Sequence, residues 1–144
     1  MREIDSNLLF LGNAADARDL RLLYDHRIAA VVDLALNEPP ARLTHDMIYF
    51  RIPLCDGGGN GDTILEVAIR CVAALVAREV RTLVACRAGM SRAPAIAAAA
   101  LALVRQSPPD ECLTSIIADG PHDVSPALWT AVQGVYDELE CTPT

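Results

Sequence analysis

Thr82-Leu83-Val84-Ala85-Cys86-Arg87-Ala88-Gly89-Met90-Ser91-Arg92 is the stretch on which the reading of this chain turns. Thr82 to Ala85 predicts a short buried strand, and Arg92 or Ala93 opens an Ala-rich helix running to Arg105, with Pro94 tolerated in its first turn. A loop this short between a strand and a helix can curl so that successive backbone N–H groups turn inward. Arg87, Ala88, Gly89, Met90 and Ser91, together with the helix N-terminus, would then cradle a tetrahedral oxyanion. Gly89 permits a backbone conformation closed to other residues, and the planar fork of Arg92 can grip two phosphoryl oxygens. The same dipoles favour the ionised sulfur of Cys86, which makes it a nucleophile facing a bound phosphate. The competing reading makes Cys86 a small buried hydrophobe and Arg92 an ordinary helix-start residue. The position of the loop between strand and helix favours the cradle.

Working outward, Leu8 to Leu11 reads as a short strand ended by Gly12-Asn13. Asn13 can cap a helix with Asp16 in its first turn and Leu20, Leu23 and Tyr24 along one stripe. Ile28 to Leu34 is a continuous apolar run of the kind found in a strand covered on both faces, and Pro39-Pro40 forces a loop after it. Ile48 to Leu54 predicts another strand, closed by Pro53 and by glycines at 57, 58, 59 and 61. Asp62 or Thr63 opens a helix to about Arg78, with Glu66, Arg70 and Arg78 on its polar stripe. Ser107-Pro108-Pro109 stops the Ala-rich helix, and two more helices follow, about Asp110 to Ala118 and Ser125 to Leu139. The second has a Ser cap and Pro126 at its first position. The pattern predicts one α/β domain over residues 1–144: a central, twisted, mostly parallel sheet of four to five strands with helices on both faces. Ligands in such sheets gather at the carboxyl ends of the strands, where the Cys86 loop lies.

Composition narrows the function classes. The 144 residues carry 12 Arg, no Lys and 19 acidic groups, a formal charge of minus 7. That balance argues against sequence-independent binding to nucleic acid or an anionic membrane, since both demand clustered positive charge. The longest apolar run, Ala95 to Val104, is about half the ~20 residues a bilayer span requires and reads as a buried helix. The charged start, Met1 to Asp5, lacks a secretory signal and suggests a cytoplasmic protein. The cysteines at 55, 71, 86, 112 and 141 are odd in number and form no CxxC pair, so neither a disulfide scaffold nor a structural zinc site is expected. His26, His45 and His122 have no ligand spacing, and no metal or cofactor is expected.

The Cys-X5-Arg loop resembles that of the dual-specificity branch of the protein tyrosine phosphatases. The likeness extends over Leu8 to Asn13, the Ile28 strand, Ile52-Pro53-Leu54 followed by Asp56, and the terminal helices, in the family's order. It implies that Cys86 takes the phosphoryl group as a thiophosphate intermediate, which water then removes without a metal. It also implies an aspartate about thirty residues before the cysteine that protonates the leaving oxygen and later activates water; Asp56 stands at that separation. Asp56 adjoins the glycine run, on a segment that could close over substrate. Asp62 is the competitor, weighed lower because Asp62-Thr63 resembles a helix start. The implied substrate is a phosphoprotein, carrying phosphotyrosine and also phosphoserine or phosphothreonine. Lipid-phosphate relatives commonly carry lysines in this loop, and here there are none. A monomer is the expected state.

Two positions depart from the family pattern. Ala85 stands where a histidine usually precedes the nucleophile, and Ala93 replaces the hydroxyl residue after the arginine that assists release of the sulfur. Both losses imply slow turnover, with hydrolysis of phosphocysteine limiting. Ala93-Pro94 does resemble the Arg-Ala-Pro of the phosphatases of regenerating liver. The alternatives are a phosphate-binding pseudophosphatase and, further off, a rhodanese-like sulfurtransferase. Two secondary expectations complete the reading: Asp33 could hydrogen-bond the phosphate loop from a strand end, unless simply solvated, and Cys55 could form a protective disulfide with Cys86.

Overall fold

The computed structural model describes residues 1–141; of the span read above as one domain, residues 142–144 lie outside the described part. Its elements are β1 (Arg2–Asp5), β2 (Leu9–Gly12), α1 (Ala14–Arg18), α2 (Leu20–Asp25), β3 (Ala30–Asp33), β4 (Ile48–Arg51), α3 (Asp62–Ala77), β5 (Thr82–Ala85), α4 (Arg92–Arg105), α5 (Pro109–Ile117) and α6 (Pro126–Cys141). The strands form one sheet in the order β1-β2-β5-β3-β4. β2, β5, β3 and β4 are parallel, and β1 pairs antiparallel with β2. This is the mostly parallel α/β sheet with helices on both faces that the pattern predicts.

Strand alternation divides the interior in two. Leu9, Leu11, Ala30, Val32 and Val84 face a large core built with α3, α4, α5 and α6. Phe10, Val31, Leu83 and Ala85 point the other way, onto Ala17 and Leu23 of α1 and α2. α4 runs through the larger core, and its residues Ala93 to Ala102 are all buried. A helix that is apolar all round can only lie inside. Its small side chains let α3, α5 and α6 close around it.

One element is unexpected and two expectations need correction. The charged start, for which the sequence pattern predicts no element, is a strand: Ile4 packs on the large core, and Asp5 is buried and ion-paired with Arg105 at the end of α4. The helix expected after Asn13 is two short ones. Asn13 and Asp16 form a reciprocal capping box on α1, but Asp19 ends α1 and caps α2 through the Leu22 amide. Regular pairing of β4 stops at Arg51 rather than Leu54, although the Ile52 and Leu54 amides still bond to the Asp33 and Leu34 carbonyls. That extension carries the chain from the sheet to the Asp56 segment.

Candidate active site

The site lies where β5 ends between two neighbours. Ala85 is in register with Gly12 of β2 on one side and Asp33 of β3 on the other. Backbone bonds carry this alignment into the loop: the Cys86 amide donates to the Gly12 carbonyl at 3.4 Å, and the Ala14 amide donates to the Arg87 carbonyl at 3.2 Å. Gly89 has φ +74°, and a Cβ there would lie 2.8 Å from the Gly12 carbonyl oxygen. Glycine is thus demanded twice, by the dihedral and by the approach of another backbone. The Gly89 amide turns back onto the sulfur of Cys86 at 3.2 Å. Cys86 itself is only 2% exposed.

A cavity of about 270 Å³ opens above the loop, lined by Asp56, Cys86, Arg87, Ala88, Met90, Ser91, Arg92 and Asp123. That size lies at the small end of ligand sites and suits a compact group better than an extended cofactor. Arg92 donates from Nη1 to the Leu54 carbonyl at 2.9 Å, while its Nε, buried, has no partner among the described residues. An unpaired buried donor costs on the order of 1–3 kcal/mol, which an oxyanion in the cavity would recover. Arg87 lines the same cavity, but its side chain is largely exposed and reaches Glu38 at 3.7 Å.

Asp56 stands on the far wall with Oδ1 2.5 Å from the Ser91 hydroxyl, which donates to it. Asp62 lines a separate depression with Glu66 and Val135, and occupies the first turn of α3 after Gly61. The Asp56 loop is closed on itself by Asn60, whose side chain accepts from the Cys55 amide at 2.7 Å and donates to the Cys55 carbonyl at 2.8 Å. Cys55 is exposed and Cys86 buried, and both are free thiols.

Asp33 corrects both readings made of it. It is neither solvated nor bonded to the loop: one oxygen accepts from the Ala35 amide at 3.1 Å and the other from the Tyr49 hydroxyl at 2.7 Å. Tyr49 in turn accepts from the Ala41 amide, so this buried carboxylate anchors the connection between β3 and β4. Sequence reasoning missed Asp123 and the second task of Ser125. The Asp123 amide donates to the Met90 carbonyl at 2.8 Å, and the Ser125 amide donates to Ser91 Oγ at 2.9 Å. The only signal for this wall was the Ser-Pro start of α6. Ser125 does cap that helix, accepting from the Leu128 amide. Among the described residues no cluster of His, Cys, Asp or Glu is arranged to hold a metal ion.

The fold has counterparts among known proteins. Residues 9–106 match the family model described as Tc-R-P, polymorphic toxin system, DSP-PTPase phosphatase. Human DUSP28 superposes with a TM-score of 0.83 at 21% identity, covering 97% of this chain and 98% of that one. DUSP15 gives 0.73 at 25% identity, covering 100% and 97%. The human tyrosine phosphatase-like serine/threonine/tyrosine-interacting protein gives 0.81 at 17%, covering 99% and 100%. No curated protein sequence matches the chain. No helix among the described residues is long and apolar enough to cross a membrane.

Proposed function

The chain belongs to the polymorphic-toxin group of dual-specificity phosphatases within the protein tyrosine phosphatase superfamily, and on that footing we propose that it hydrolyses phosphotyrosine, and also phosphoserine or phosphothreonine, in proteins through a phosphocysteine intermediate. The observation that carries this reading is the Cys86 sulfur at the floor of a small cavity, with the Gly89 amide on it and Arg92 and Asp56 on the walls.

In the first step the Cys86 thiolate attacks phosphorus in line with the departing oxygen, and the P–O bond breaks as the P–S bond forms. The loop amides and Arg92 hold the remaining phosphoryl oxygens, where charge is concentrated during transfer. Asp56 gives its proton to the departing oxygen. In the second step Asp56, now a carboxylate, takes a proton from water as that water attacks phosphorus, and sulfur leaves as thiolate. The protein does this as a cytoplasmic monomer, with no metal, cofactor, nucleic acid or membrane as partner.

A second reading, a phosphate-binding protein with little turnover, is favoured by Ala85 and Ala93. The rhodanese-like alternative fits less well, since the matched family is a phosphatase family. Hydrolysis of p-nitrophenyl phosphate and a phosphopeptide panel by wild type, Cys86→Ser and Asp56→Asn tests the proposal. We expect vanadate-sensitive turnover abolished in Cys86→Ser. Vanadate binding without turnover would favour the second reading.

A further inference from the structure

We infer that Ser91 is a positioning residue for the proton-transferring carboxylate: it acts on the reaction through Asp56 rather than by contacting phosphate. This rests on the phosphatase reading above. Ser91 is the one hydroxyl in the loop from Cys86 to Arg92, and it is 94% buried. Its oxygen is committed on both sides, donating to Asp56 Oδ1 at 2.5 Å and accepting from the Ser125 amide at 2.9 Å. With its proton on Asp56 and a lone pair on Ser125, the hydroxyl faces two protein partners and leaves only the Ser91 backbone to the cradle.

The Asp56 loop has little else to orient it. Gly57, Gly59 and Gly61 have nothing within 4 Å of where a Cβ would stand, and Gly58 approaches only Ala127 at 3.6 Å. The Asn60 bonds close the loop on itself without attaching it to the body of the protein. Past the Leu54 amide, which still bonds to the Leu34 carbonyl, its attachments run to consecutive residues: Arg92 holds the Leu54 carbonyl at the base, and Ser91 holds the carboxylate itself. The distance between nucleophile and acid is therefore set within one rigid unit. Ser125 fixes the rotamer of Ser91, so the start of α6 is part of the same device.

The test compares wild type, Ser91→Ala, Asp56→Asn and the double variant on p-nitrophenyl phosphate, a good leaving group, and on phenyl phosphate and an alkyl phosphate, poor ones. A placed proton donor supplies roughly a hundredfold or more, and Ser91→Ala should forfeit on the order of tenfold of it in kcat on the poor leaving groups. The loss on p-nitrophenyl phosphate should be much smaller, and KM should change little. In the Asp56→Asn background the Ser91 effect should vanish. Ser91→Thr, which keeps the hydroxyl, should recover the poor leaving groups. An equal loss on all esters, or an effect undiminished in Asp56→Asn, overturns the inference. Amide exchange at Cys55 supplies a readout independent of turnover: it should accelerate in Ser91→Ala and, should that variant not fold, in Asp56→Ala on the exposed side of the same bond. If wild type hydrolyses none of the esters, the phosphatase reading fails. Unchanged Cys55 exchange in whichever variant folds overturns the tether.

Discussion

Gly12 and Gly89 meet backbone to backbone, with room for no side chain between the end of β2 and the crest of the Cys86–Arg92 loop. Because Gly89 also has a positive φ, Gly89→Ala combines a dihedral cost of roughly 1–2 kcal/mol with a clash against the Gly12 carbonyl. The loop must rearrange to relieve it. We expect at least a hundredfold loss of phosphatase activity and a lower melting temperature, read by steady-state assay and thermal melt. Wild-type activity in Gly89→Ala would contradict the close approach.

Ala93 and Ala85 predict different outcomes when the family residues are restored. Ala93 is buried in the first turn of α4, directly after Arg92, and Ala93→Ser adds one small hydroxyl there. If breakdown of the phosphocysteine limits turnover, wild type should show a burst of leaving group, and Ala93→Ser should raise steady-state kcat severalfold while shrinking the burst. Linear wild-type progress from the first turnover would contradict this. Ala85 packs against the α1–α2 side of the sheet, so Ala85→His overfills that core at about 1–3 kcal/mol and should lower the urea midpoint.

Tyr49 tests the buried anchor at Asp33. Burial, and then the hydrogen bond to Asp33, push its phenol above the ordinary value of 10.0. Between the unfolded and the higher folded value the native state keeps a proton that the unfolded chain has lost. Stability from this group is therefore fully present below pH ~10 and declines as pH rises through the folded value. Tyr49→Phe leaves an Asp33 oxygen unpaired and should cost about 1–3 kcal/mol at neutral pH. Urea unfolding should show the gap between the two proteins narrowing above pH ~10. A gap constant with pH would contradict the assignment.

Thiol labelling separates the cysteines. Burial pushes the Cys71 thiol up to about 11 and raises Cys112 as well, so both stay protonated and unreactive at neutral pH. Cys55 and Cys141 are exposed and should react with iodoacetamide in the native protein. Vanadate should protect Cys86 alone, read by peptide mass mapping. Protection at Cys71 would point to a different anion site.

The parts legible in the sequence were those written in contiguous residues. Buried apolar runs marked β2, β3 and β5, and the Cys86 loop declared itself by its place between strand and helix. β1 was not legible because Arg2, Glu3 and Asp5 surround one apolar Ile4, too short a pattern to read. The break at Asp19 depends on one side chain capping backward and forward at once. The bonds that orient the site join residues far apart, Ser91 to Asp56 and Tyr49 to Asp33, and each residue alone reads as an ordinary polar group. No local pattern encodes such a pair, since Tyr49 meets Asp33 only once β4 lies beside β3, and Ser91 meets Asp56 only once β5 lies on the other side of β3.

The alanine sleeve of α4 carries a kinetic implication. With methyl groups as the largest projections along much of its length, this helix has no side-chain slack by which to slide or roll against α3, α5 and α6. The amides at its N-terminus are consequently pre-set before any ligand arrives. Capture of an oxyanion should proceed as a single encounter, its observed rate linear in vanadate concentration with no slower isomerisation behind it.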